Sequence, residues 1–290
     1  MTQPRRVLPG PTYLVTRRCS EQRFFLRPDP AVRQIFEYVL ALACASFGLK
    51  LHAFVVMSNH YHLVVTDPLG KISDFAQYLN AMVARAMNEL LGRSGSFWDP
   101  EPFNGVELLD EDSIFQRLAY VHANPVAARL VSRARHWEGS TSMGMAYGTR
   151  RVIERPRVFF SESMPARATL VLTRPEIYAS LDDEMLQRAV ADRVREAEDV
   201  AIETPVIGMR KVFAQHWNDA PPRERQALHV RPRFASTCAH VRTLAILAYR
   251  EWRNCYAEAL RAFCAGERNV MFPAGTYWMS VRLGCPSLAP

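Results

Sequence analysis

Between Val55 and Thr66 the chain reads VVMSNHYHLVVT, and inside this β-branched run His60 and His62 stand one residue apart. In a strand, residues i and i+2 project to one face, so both imidazoles point the same way while Tyr61 turns to the other. Two imidazole nitrogens on one face are the beginning of a cation site. Histidines in strands also make ordinary hydrogen bonds, and an H-x-H pair alone does not decide between the two readings. Leu63, Val64 and Val65 offer no polar company, and two buried imidazoles without partners would be costly. Further ligands must come from elsewhere in the chain.

The stretch LAYVHANPVAARLV, Leu118–Val131, supplies candidates. Tyr120 and Asn124 are four apart, which on a helix places them on one face, one turn from each other, while His122 points elsewhere. An Asn carbonyl is an acceptable oxygen ligand for magnesium or manganese, and a tyrosine hydroxyl beside it is a candidate nucleophile. The alternatives are an amphipathic core tyrosine with a solvated tip and an asparagine at a helix C-terminus. Pro125 disfavours helical geometry at Asn124, so the spacing argument depends on the helix surviving that proline.

These residues need a scaffold. TYLVTRRC from Thr12 reads as a strand, and Pro30 opens a helix with Val32, Ile35, Phe36, Val39, Leu40 and Ala43 at helical spacing, closed by Gly48. KLHAFVVM and HYHLVVT, separated by Ser58-Asn59, read as a hairpin. A second helix is expected from Ile72 to about Leu91, a short strand over Gly105–Leu109, and a third helix after Asp110, Glu111 and Asp112. Acidic residues suit a first helical turn. The order is that of an α+β, ferredoxin-like antiparallel sheet with helices on one or both faces. We expect this unit to span residues 1–150, a linker rich in arginine and proline to span 151–170, and a mainly helical C-terminal extension to span 171–290. The extension contains long amphipathic helices over Asp182–Glu203 and Cys238–Ala265, and its end, VMFPAGTYWMSVRLG, reads as a strand or docking segment.

Composition sets the outer bounds. The chain has 290 residues, 49% of them hydrophobic, enough for one large domain or two ordinary ones. No run is long and apolar enough for a bilayer span and the start is not a signal peptide, so a soluble cytoplasmic protein without a membrane partner is expected. The six cysteines are scattered without a C-x-x-C pair, which predicts reduced thiols. The formal charge of +7 is compatible with a nucleic-acid partner, and the basic residues are almost all arginines, which suit bidentate phosphate contacts. Arg5, Arg6, Arg17 and Arg18 are candidate DNA-backbone contacts, with a solvated charged surface as the alternative. Arg223, Arg225, Arg231 and Arg233 form a second basic group.

MSNHYHLVV resembles the M-x-N-H-x-H-L-L-V segment of single-tyrosine HUH transposases, and YVHANPVAARLV resembles their Y-I-x-x-N-P-V-R-A-G-L-V segment. The REP-associated tyrosine transposases are the nearest group, with HWEGSTSMG similar to the W-x-x-S-S-x stretch that closes their domain. The likeness covers about residues 5–147. It implies a ferredoxin-like nuclease acting on single-stranded DNA beside a hairpin, as a monomer or homodimer. His60, His62 and Asn124 would hold Mg²⁺ or Mn²⁺, and Tyr120 would attack the phosphate to leave a 5′-phosphotyrosine link. The chain departs from the pattern at WDPEPFNGV, where Asp99 and Glu101 replace cationic or neutral positions, and at Ala127 and Arg129, which stand for arginine and glycine. These departures keep a second expectation open, a domesticated protein that binds DNA hairpins and cuts weakly. A structural metal domain without a nucleic-acid role is a third.

Overall fold

The computed structural model describes residues 4–200, 205–221 and 232–289. Arg223, Arg225 and Arg231 lie outside the described residues. The elements run β1 (Thr12–Arg18), α1 (Pro30–Phe47), β2 (Lys50–Met57), β3 (His60–Thr66), α2 (Ile72–Leu90), β4 (Asn104–Leu108) and α3 (Glu111–Ala127). Then come β5 (Arg150–Glu154), β6 (Arg167–Val171), α4 (Asp183–Val200), α5 (Met209–Ala214), β7 (Phe234–Ala235), α6 (Ala239–Cys264) and α7 (Trp278–Leu283).

The main sheet has the order β2-β3-β1-β4-β7. Its first four strands are antiparallel, in ferredoxin-like arrangement, and the two-residue β7 adds to β4 in parallel. Alternation along each strand divides the core between two faces. Val15, Phe54, Val56, Tyr61, Leu63 and Val65 bury against α1 and α2 on one side. Leu14, Val55, Val64, Val106 and Leu108 bury against α3 on the other, with Leu186, Val190 and Val194 of α4 packed into the same cluster. The fold is α+β with a helical C-terminal part, as expected.

Local chemistry explains the ends of the elements that matter. Gly48 closes α1 in the left-handed conformation at φ 69°, which costs a glycine nothing. Asp110 caps α3 by accepting from the Ser113 amide at 2.7 Å while Ser113 reaches back, a reciprocal capping box. The open edge of β2 is covered by the Ser140–Ser142 stretch, where Val56 N donates to Ser140 O and Ser142 N to Phe54 O. Trp137 anchors that stretch through Nε1 donating to Val56 O.

Two segments that the sequence described only loosely take definite form. Residues 151–170, read as a linker, contain the β5–β6 hairpin, which packs on α1. Ile153, Phe160, Ala168 and Leu170 are buried there, and Arg151 pairs with the buried Glu37. The end of the chain holds α7 rather than a strand, with Phe272 and Met279 closing a small cluster against α6. It does dock, because Arg6 and Thr276 form an antiparallel bridge. All six cysteines are free thiols, and no helix among the described residues is long and apolar enough to cross a membrane.

Candidate active site

The hairpin and α3 bring the chemistry together. His60 and His62 leave β3 on the α3 side of the sheet, their ring centroids 4.8 Å apart. Tyr61 turns to the other face, fully buried, with its hydroxyl donating to Asn80 Oδ1. From α3, the Tyr120 ring stands 5.3 Å from the His62 ring, nearly at right angles to it. Asn124, one turn on and buried, shares a side-chain hydrogen bond with His60. Tyr120 itself stays 37% exposed, so its ring reaches the imidazole pair while remaining open to an incoming strand.

Pro125 does not spoil this spacing. The helix continues to Ala127 with the proline inside its last turn. Arg129 N then donates to Val126 O and Leu130 N to Pro125 O, the paired bonds of a Schellman ending. His122 points away, as expected, to the Ser142 hydroxyl.

Two partners orient the imidazoles. Thr16 of β1 lies directly across from His62 in the sheet register, and its hydroxyl sits 2.7 Å from His62 Nδ1. Asn59 Oδ1 lies 2.7 Å from His60 Nδ1. Each ring therefore has Nδ1 held by a neighbour, and in His60 the Asn124 side chain holds the ring as well. This is the arrangement in which a histidine ligates through Nε2 with its second nitrogen held by a partner. Burial first, and the charge of Arg18 second, push His60 down to about 4. Burial, then His60, Arg18 and Arg117, hold His62 well below its ordinary value. Both rings are neutral at physiological pH, the form that binds a cation.

The donor set fits a small divalent cation through two neutral imidazoles and one amide oxygen. Among the described residues no three histidines, cysteines or carboxylates cluster as ligands, and the Asn124 amide beside His60 is an oxygen donor that could complete such a set. Thr16 and Arg117 are the site residues that sequence reasoning missed. Thr16 was visible only once the β1–β3 register was known. Arg117 carried a signal, since it stands three residues before Tyr120 on the same helical face. Its guanidinium carbon lies 5.6 Å from the Tyr120 ring centroid.

The four arginines expected at DNA do not act alike. Arg18 pairs across from His60 and shares its face. Arg17 faces the opposite way and donates to the backbone carbonyls of Asp99 and Glu101, so it holds the acidic loop in place. Arg5 is built into the fold, its guanidinium 3.6 Å over the Phe103 ring and donating to Phe103 O at 3.1 Å. Arg6 lies beside it, bridged to the chain's C-terminal segment.

Residues 13–106 match the family model described as Transposase IS200 like. This segment resembles an IS200-like transposase domain. The match contains His60 and His62 and ends before α3, so Tyr120 and Asn124 lie beyond it. The likeness to IS200-like transposases covers this segment, less than half of the chain. No curated protein matches the chain. Among solved structures, a REP-associated tyrosine transposase bound to a REP hairpin is 17% identical, covering 49% of this chain and 82% of its own, at a TM-score of 0.42. A putative transposase from Deinococcus radiodurans R1 is 23% identical over 42% of this chain and 95% of its own, at a TM-score of 0.31.

Proposed function

We propose that this IS200-like domain cleaves single-stranded DNA beside a hairpin and transfers the strand. Tyr120 is the nucleophile, and His60, His62 and Asn124 are the ligands of Mg²⁺ or Mn²⁺. The supporting observation is the convergence of β3 and α3 on one point. The Tyr120 ring stands 5.3 Å from His62, immediately beside the His60–Asn124 hydrogen bond. The nuclease unit is assigned to residues 1–150, with the helical part over 171–290 added to it.

A tyrosine hydroxyl is a weak nucleophile at neutral pH, and the surroundings supply what it lacks. When bound, the cation would draw charge from a non-bridging phosphate oxygen and fix the phosphate in place. Arg117, against the Tyr120 ring, and Arg18, on the face of His60, place positive charge where the charge of the phosphate would develop. The Tyr120 oxygen bonds to phosphorus as the bond from phosphorus to the 3′ oxygen breaks. The phenol proton passes to solvent, and the departing oxygen takes up a proton as a 3′-hydroxyl. One phosphate ester has been exchanged for another of similar energy, so a 3′-hydroxyl can attack the 5′-phosphotyrosine and reseal a strand without ATP.

The test is a denaturation-resistant adduct between the full chain and hairpin-bearing single-stranded DNA with Mg²⁺ or Mn²⁺. Tyr120→Phe and chelation both abolish it. A second reading, binding with little cleavage, draws on Asp99 and Glu101, which hold their carbonyls on Arg17 near the site's end of β1. Hairpin binding without any adduct would favour it.

A further inference from the structure

A cavity of about 580 Å³ lies between the start of β4, the loop before it and α6, within the size range of small-ligand clefts. Tyr13, Gly105 and Glu107 form its sheet wall, and Arg5, Arg6, Arg233 and Tyr249 face it from the N-terminal segment and the helical extension. Among the described residues none of these three arginines is in a salt bridge with a carboxylate. Arg5 lies on Phe103, and the Arg233 guanidinium lies 4.2 Å over the Tyr249 ring. Burial, and then the like charge of Arg233, lower Arg5 to about 10, so the two guanidiniums lie close enough to repel each other. Burial raises the Glu107 carboxyl on the sheet wall, and the charge of Arg6 across the cavity opposes that rise.

We propose that this cavity binds a phosphate-bearing nucleotide of the same DNA strand that enters the active site; the assignment rests on the reading of Tyr120 as nucleophile. Three aligned facts select this ligand. Guanidiniums backed by aromatic rings suit a phosphate with an adjoining base. Gly105 keeps the wall low, because a Cβ there would press on the Phe103 ring at 3.3 Å. The cavity also reaches Asn104, which pairs with Thr16, the residue bonded to His62. Two strand spacings separate Asn104 from His62, about 10 Å of sheet; the wall residues Tyr13 and Gly105 alternate with Leu14 and Val106 and face the α1–α2 side, so the DNA strand reaches the cavity from the His62 face by passing around the β4 edge. The β4 edge is covered by β7 only at Glu107 and Leu108, which leaves the strand's beginning open for a nucleic-acid chain to pass. The helical extension thereby acquires a role, since it supplies Arg233 and Tyr249 to hold the strand outside the catalytic centre.

The experiment measures binding of the full chain to a fluorescent single-stranded oligonucleotide by anisotropy over a range of salt. Arg233→Gln and Arg6→Gln should each weaken binding roughly tenfold and lower the salt slope by about 1. Arg233→Lys should retain most of the slope. The same variants are titrated with thymidine monophosphate and with inorganic phosphate. Thymidine monophosphate bound as tightly as the oligonucleotide would overturn the strand assignment, and weak, arginine-dependent competition by both supports it. Wild-type affinity and slope in both glutamine variants, with unchanged circular dichroism, would overturn the site itself. Adduct formation is scored separately. If wild type forms no adduct while the arginine effects persist, the Tyr120 reading fails and the cavity stands as a DNA-binding site.

Discussion

Thr16→Val isolates one hydroxyl at the centre of the proposed metal site. The Thr16 oxygen lies 2.7 Å from His62 Nδ1, directly across the β1–β3 ladder. For His62 to ligate through Nε2, Nδ1 must carry the proton and donate it to Thr16. Valine keeps the β-branched shape that suits the strand and removes the acceptor. Loss of such an orienting partner typically lowers metal affinity by about 10- to 100-fold, which is roughly 1.4–2.7 kcal/mol. The fold should lose about 1 kcal/mol, the net worth of one hydrogen bond. Isothermal titration of the full chain with Mn²⁺ at neutral pH reads the first number, and urea unfolding without metal reads the second. Thr16→Ser, which keeps the hydroxyl, should stay near wild type in both. If Thr16→Val binds Mn²⁺ as tightly as wild type, the register-fixed bond does not orient the ligand. If wild type binds no Mn²⁺, the ligand set itself is refuted.

Three other outcomes follow from single features. Arg129 sits at φ 55°, just past α3; Arg129→Gly should raise stability by about 1 kcal/mol in urea unfolding. Asp110→Ala removes the acceptor of the α3 capping box and should cost about 1 kcal/mol by the same measurement. Burial first lowers His52 to about 4, so the folded state refuses a proton that the unfolded chain accepts below about 6.5. Its share of stability is therefore intact above pH 6.5 and declines as pH falls toward 4. It should amount to a loss of about 2 kcal/mol at about pH 5. His52→Gln should flatten the acid limb of the unfolding midpoint against pH.

What the sequence disclosed depended on whether the cause was local. The His60–His62 strand, the Gly48 stop and the amphipathic stripe of α2 announce themselves through period-two alternation, a left-handed glycine and helical spacing. The β5–β6 hairpin does not. Its residues are arginines, prolines and a few apolar positions, and what makes it a hairpin is the outer face of α1. There the Tyr38 and Phe160 rings meet at 5.1 Å and the Tyr38 hydroxyl donates to Pro165 O. The C-terminal YWMSVRL run, whose aromatic and β-branched content left strand and docking segment open, forms a short helix around the buried Met279 and docks through the Arg6–Thr276 bridge. Among site residues, the imidazoles, Tyr120 and Asn124 were legible by spacing. The separate jobs of Arg17 and Arg18 were not, because only the sheet fixes which of two adjacent arginines shares the histidines' face.

Pro125 ties stability to chemistry at the end of α3. It lacks the amide hydrogen that would continue the helical ladder, and within a long helix it would bend the axis and move Asn124. Here it occupies the last turn, where few bonds remain to be lost. Ala128 N still reaches Asn124 O, and Leu130 N closes back onto Pro125 O. The helix is thus held from its C-terminal side, through a turn whose left-handed position is filled by Arg129. The segment after 204 adds to this clamp, with Ile207 N donating to Arg129 O and Gly208 N to Leu130 O. Asn124 keeps its hydrogen bond to His60 because the turn beyond it is closed and pinned. A substitution that opens this turn, such as Leu130→Pro, removes the amide that closes onto Pro125. It should lower Mn²⁺ affinity although it touches no ligand, whereas Arg129→Gly should leave that affinity unchanged while raising stability. Equal metal affinity in Leu130→Pro and wild type would show that Asn124 is held in place by something other than the closed turn.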